Sequence, residues 1–102
     1  MNVKFKDGTI KNCTSPTEQK LFKSGEDAGW ILNFALMGDI TSDEVDSLIT
    51  KDNISELTFI SVYEETETSF SLNGYERTSS VIVRYNENNK QTRVEIQLMR
   101  GI

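Results

Sequence analysis

The feature that most constrains the fold is a pair of alternating apolar runs in the last quarter of the chain, between Ser79 and Met99. An alternation of period two gives a strand one apolar face and one polar face. A polar stretch at 86–91 separates the two runs, so they are predicted to form a β-hairpin. The residues expected to face the core are Val81, Val83, Tyr85, Val94, Ile96 and Leu98.

Two registers of this hairpin keep its apolar sets together, with Val83 opposite either Val94 or Ile96. The second register places Arg84 across from Glu95, a favourable cross-strand pair, whereas the first sets Arg84 against another arginine. We therefore expect Val83 to lie opposite Ile96.

Earlier segments of the chain also read as strands. Val3 and Phe5 precede an Asp-Gly pair, which predicts a hairpin with a two-residue turn and with Phe5 and Ile10 on one face. Residues 24–29 read as a turn rich in glycine. The segment Trp30 to Met37 that follows is apolar on both faces, which is typical of a central strand.

The period changes to that of a helix after Gly38. Thr41 with Glu44 three residues later forms a capping box, and Ile40 with Val45 occupies the positions of a hydrophobic staple. The pattern predicts one short amphipathic helix around residues 42–51. The chain is thus expected to be a single α+β domain over 1–102, with a mainly antiparallel sheet of about six or seven strands in hairpins.

Composition excludes several kinds of chemistry. The chain has no histidine and one cysteine, Cys13, so it holds no His-based triad and no usual zinc set. Its net charge of −5 disfavours nucleic-acid binding. No glycine-rich phosphate loop is present. We expect no enzyme activity, no cofactor, no metal and no small-molecule substrate. A small hydrolase using two carboxylates stays as a weaker alternative.

No apolar run is long enough to cross a membrane, and the first residues contain no apolar core of a signal peptide. These observations predict a cytoplasmic protein without a membrane partner, associated with a virion if it belongs to a larger assembly.

Eight residues are candidates for an interaction surface. Aromatic side chains are frequent in interface hot spots, although the same residues could simply pack in the core. Acidic residues in a turn could mimic nucleic-acid phosphates, or could form an ordinary solvated turn. An isoleucine on an otherwise polar hairpin face indicates that the chain or a partner covers that face. The candidates are Trp30, Tyr63, Tyr75, Ile82, Arg84, Glu64, Glu65 and Glu67.

Three segments carry a resemblance to known proteins: Val-Lys-Phe-Lys-Asp-Gly-Thr at 3–9, Asp-Ile-Thr-Ser-Asp-Glu-Val-Asp-Ser-Leu-Ile at 39–49, and Ser-Ser-Val-Ile-Val-Arg-Tyr-Asn-Glu-Asn at 79–88 with Arg-Val-Glu-Ile-Gln-Leu at 93–98. In style the chain resembles small proteins encoded by phages, prophages and integrative elements of Gram-positive bacteria. The resemblance implies a tail or virion-associated part and assigns no site residue.

Together these observations predict a non-enzymatic interaction or structural module that binds a protein partner or associates with itself. An acidic inhibitor of a host nucleic-acid-binding system is the main alternative.

Overall fold

The part of the chain that the structure describes folds into two four-stranded antiparallel sheets and one short helix, which confirms the α+β class. The computed structural model describes residues 1–84 and 91–101, without the side chains of residues 27, 79–84, 91 and 92. The elements in chain order are β1 (Asn2–Lys4), β2 (Ile10–Asn12), β3 (Thr17–Lys23), β4 (Glu26–Met37), α1 (Ser42–Leu48), β5 (Glu56–Ser61), β6 (Thr66–Ser71), β7 (Glu76–Arg84) and β8 (Gln91–Gly101).

The first sheet has the strand order β2-β1-β5-β6, and the second has the order β3-β4-β8-β7. As predicted, the apolar segment from Trp30 lies in a central strand, because β4 has neighbours on both sides. This strand begins at Glu26, earlier than expected, since the turn before it contains only Ser24 and Gly25. In the part of the chain that is described, β3 and β7 are the edges of the second sheet.

One apolar core lies between the sheets. Leu32 and Leu36 of β4, Leu98 of β8 and Leu57 of β5 are almost fully buried in it. The sheets are also joined directly, since the Cys13 backbone bridges to Leu36 in the extension of β2. This link carries the chain from the first sheet to the edge of β4, where β3 then pairs.

The helix begins as predicted. The Thr41 hydroxyl accepts the backbone N–H of Glu44 at 3.2 Å, and the staple residues Ile40 and Val45 are buried. The helix ends at Leu48 rather than near residue 51. The side-chain amide of Asn53 donates to the Leu48 carbonyl at 2.9 Å. This bond gives a hydrogen-bond partner to a carbonyl of the last helical turn, which has none within the helix.

The prediction that Phe5 and Ile10 share a face is wrong. Phe5 is 1% exposed and Ile10 is 54% exposed, because Ile10 pairs with Lys4 and so lies on the outer face of the first sheet. The turn is also longer than two residues. The Phe5 N–H donates to the Thr9 carbonyl at 2.9 Å, and the Asp7 carboxylate accepts the Thr9 N–H at 2.8 Å, which widens the loop.

The closing hairpin forms, but both expected registers are wrong. Val83 pairs with Arg93, Arg84 pairs with Gln91, and Ile82 takes the position opposite Val94. Irregularities between Arg77 and Ser79 and between Val83 and Arg84 shift the pairing. Tyr85 and the loop at 86–90 lie outside the described residues.

Candidate interaction surface

One row of side chains crosses the second sheet just beyond the core. Lys20 in β3 pairs with Trp30 in β4, and Trp30 pairs with Arg100 in β8. Tyr75 immediately precedes Glu76, which pairs with Met99, so Tyr75 follows Arg100 in this row. Phe22 lies two residues after Lys20, on the same side of β3. We call these five residues, Phe22, Lys20, Trp30, Arg100 and Tyr75, the aromatic–basic row.

Cations and rings alternate along this row and contact each other. The Lys20 Nζ lies 5.5 Å from the centre of the Trp30 ring and 5.7 Å from that of Phe22. The Arg100 guanidinium carbon lies 5.7 Å from the centre of the Tyr75 ring. All three distances are within the range of cation–π attraction, so each cation is attracted to the ring or rings beside it.

The row lies where burial ends. Leu32 and Leu98, the next residues inward on β4 and β8, are buried, whereas Trp30 is half-buried and Arg100 is exposed. Phe22 is 64% exposed although it is a large apolar residue. The row therefore presents apolar rings and two cations to the outside, a mixture enriched at the centre of protein interfaces.

Tyr75 is held as a neutral phenol at this edge of the core. Burial raises the pKa of its hydroxyl, the positive charge of Arg100 opposes that shift, and the negative charge of Glu18 adds to it. The aliphatic part of Arg100 passes close to Gly74, where its Cδ would lie 3.5 Å from an added Cβ. Gly74 thus leaves room for Arg100 beside the tyrosine ring.

The predicted acidic residues lie on a different hairpin. Tyr63, Glu64 and Glu65 form the turn between β5 and β6, and Glu67 follows in β6. All four are exposed, and Tyr63 is 97% exposed. The Glu64 N–H donates to the Ser61 hydroxyl at 3.4 Å. We call Tyr63, Glu64, Glu65 and Glu67 the acidic tip.

The structure thus divides the predicted aromatic residues. Trp30 and Tyr75 share one row through Arg100. Tyr75 follows Leu72, whose N–H donates to the Ser55 carbonyl at 2.8 Å, and this bond closes the end of the β5–β6 hairpin opposite the acidic tip. Tyr63 therefore belongs to a separate surface. Ile82 and Arg84 have backbone positions in β7, but their side chains lie outside the description.

A shallow cavity of about 400 Å³ lies on the outer face of the second sheet. The Arg93 guanidinium contacts the Glu95 carboxylate there at 3.1 Å, while Arg93 Nε is buried without a hydrogen-bond partner in the part of the chain described. The other polar residues lining it are Thr14, Ser15, Thr17, Asn33 and Gln97. Phe34, Ala35 and Ile96 supply the apolar part of the lining, so the cavity is of mixed polarity.

Sequence reasoning did not select Lys20, Phe22 or Arg100. Lys20 and Phe22 lie in a short segment that reads equally well as a solvated edge strand. Arg100 is distant in sequence from the other members of the row. Only strand order brings them together.

Comparisons with protein-family models, with curated proteins and with solved structures give no match for this chain. No group of three or more potential metal-ligating His, Cys, Asp or Glu residues occurs among the described residues. No helix in residues 1–84 and 91–101 is long and apolar enough to cross a membrane.

Proposed function

We propose that this protein is a non-enzymatic interaction module that binds a protein partner through the aromatic–basic row. The observation that carries the proposal is the alternation of rings and cations across β3, β4, β8 and Tyr75. Trp, Tyr and Arg are the residues whose truncation most often weakens protein binding. Three of the five residues in this row are of these types.

The charges of the row define the chemistry of the partner. Lys20 and Arg100 lie beside aromatic faces, so a carboxylate that approaches them is partly shielded from water by the rings. A pairing of charges in such a setting is stronger than one in bulk solvent. The partner surface is therefore one that presents acidic side chains beside apolar ones, which would cover Phe22 and Trp30.

The test starts with affinity capture from a lysate of the source organism, followed by calorimetry with the captured protein in purified form. Phe22→Ser and Arg100→Ser change exposed members of the row and should each weaken binding about tenfold or more. Ile10→Ser changes an exposed apolar residue of the other sheet and should leave binding unchanged. The proposal fails if no protein binds, or if binding is the same in all three variants.

The likeness in style to phage and mobile-element proteins supports a role as a part of such an assembly. In that role the protein would be found with particles as well as in the cytoplasm. Induction of the element followed by density-gradient separation tests this, with antibody detection of the chain across the fractions. Recovery only in the soluble fractions would contradict the virion location and would leave the interaction module to be judged by calorimetry.

The acidic tip supports a second candidate function, inhibition of a nucleic-acid-binding protein. Its three carboxylates and Tyr63 are exposed on one short hairpin, as a mimic of phosphates and bases requires. Binding by this surface should weaken steeply with salt and should be lost in a Glu64→Lys, Glu65→Lys variant. If nucleic acid does not compete with the chain for the captured partner, this candidate is excluded.

A further inference from the structure

Strand β3 is an edge strand with an unusual sequence. It is seven residues long, its residues are exposed except for the half-buried Leu21, and only β4 pairs with it in the described chain. Such an edge can pair with another strand through its backbone. Its centre reads Glu18-Gln19-Lys20, with opposite charges placed symmetrically about one polar residue.

We propose that β3 pairs antiparallel with β3 of a second copy of the chain, with Gln19 on the two-fold axis. When the two-fold axis is perpendicular to the sheet, both copies turn the same face to the same side. Side chains alternate between the faces of a strand, so two residues that face each other must both have even numbers or both have odd numbers. With Gln19 opposite Gln19, Glu18 of each copy faces Lys20 of the other. This inference uses the backbone edge of β3 and engages two members of the aromatic–basic row, Lys20 and Phe22, but it does not depend on the proposed function of the row.

Charge selects this register over its neighbours. A shift that places Lys20 opposite Lys20 brings two like charges together, which destabilises a strand pair. In the proposed register both lysines meet a carboxylate. Lys20 already contacts two rings within its own chain. Its ammonium group has three N–H donors, so it can also donate to the Glu18 carboxylate of the second copy.

The same register accounts for the exposure of Phe22. With Gln19 opposite Gln19, Phe22 lies opposite Pro16 of the second copy. The half-buried proline ring would there cover part of the phenylalanine. Leu21 falls opposite Thr17. The irregularity between Leu21 and Phe22 lies at the end of the pairing and leaves its centre regular.

The other two edge strands with fully described side chains, β2 and β6, lack this property. In β2 the only charged residue is Lys11, so no two-fold register can give it an anion from the same strand of a second copy. In β6 the only charged residue is Glu67, so no two-fold register can give it a cation from the same strand of a second copy. Self-complementary charge thus distinguishes β3 from β2 and β6 and predicts one pair of copies rather than a growing fibre.

Sedimentation equilibrium from low micromolar to near-millimolar protein tests the proposal. The wild type should form a dimer. Glu18→Lys and Lys20→Glu should each weaken it about tenfold or more, because two attractive pairs become two repulsive ones. The double variant Glu18→Lys, Lys20→Glu should restore the dimer. A monomer at every concentration, or a double variant as weak as the single ones, would overturn the proposal.

Two controls separate this result from others. Glu67→Lys makes the same charge change on β6 and should leave the dimer intact. Arg100→Ser removes a partner contact of the row and should also leave it intact, so a failure of the dimer and a failure of the proposed function are distinguishable. Thermal melts by circular dichroism show whether each variant folds, since all these side chains are exposed.

Discussion

Phe34 of β4 and Phe59 of β5 meet edge to face, with ring centres 5.3 Å apart and planes at 79°. Each ring belongs to a different sheet, so this contact joins the two sheets directly. Phe59 also meets Phe70 of β6 edge to face at 5.6 Å. Phe59 thus packs against one ring from each sheet within the common core.

Phe59→Ala should lower the free energy of unfolding by about 3 to 5 kcal/mol, because it leaves a cavity between the sheets and removes two ring contacts. Urea denaturation measures the loss. Val62→Ala, at an exposed position of the following turn, should change stability by less than about 0.5 kcal/mol. A Phe59→Ala variant as stable as Val62→Ala would show that the rings do not hold the sheets together.

Gly29→Ala should destabilise the fold by about 2 to 5 kcal/mol. Gly29 has φ +130°, and an added Cβ would lie 2.1 Å from the Arg100 carbonyl oxygen of the paired strand. Gly25→Ala is the matched control, since that glycine has φ +80° and open space around it. Chemical denaturation should give the control a loss of roughly 1 kcal/mol, from backbone strain alone. Equal losses would contradict the close approach of β4 and β8.

Asn53→Ala should cost about 2 kcal/mol or more in unfolding free energy. Its buried amide donates to the Leu48 carbonyl at 2.9 Å and accepts the Asp7 N–H at 3.0 Å, so both partners lose a hydrogen bond. Asn12→Ala, at an exposed position of β2, should be nearly neutral. Urea titrations of both variants decide whether this side chain links the helix end to the first turn.

Cys13 should make stability fall at high pH. Burial raises the pKa of its thiol from 9.0 to about 11, and the positive charge of the N-terminal ammonium opposes this shift. Because the unfolded thiol ionises first, the contribution is complete below pH 9.0 and is lost as the pH rises towards about 11. The difference in unfolding free energy between wild type and Cys13→Ala, measured across this range, should shrink with pH. A constant difference would contradict burial of the thiol.

The closing hairpin shows how far sequence patterns reach. Alternation correctly predicted two paired strands in residues 79–99, but the register depends on irregularities that no pattern in those residues announces. Backbone hydrogen bonds form equally well in several registers, so packing of the whole sheet selects one.

The composition alone excludes histidine chemistry, because the chain has no histidine. The sequence by itself also determined the local elements, namely the strands with period two and the capped helix at Thr41. These depend on neighbours a few residues apart. Only the tertiary structure decided that the strands divide into two sheets and that Lys20, Trp30, Tyr75 and Arg100 form one row. Residues so distant in sequence become neighbours through strand order, which burial of the common core selects for the chain as a whole.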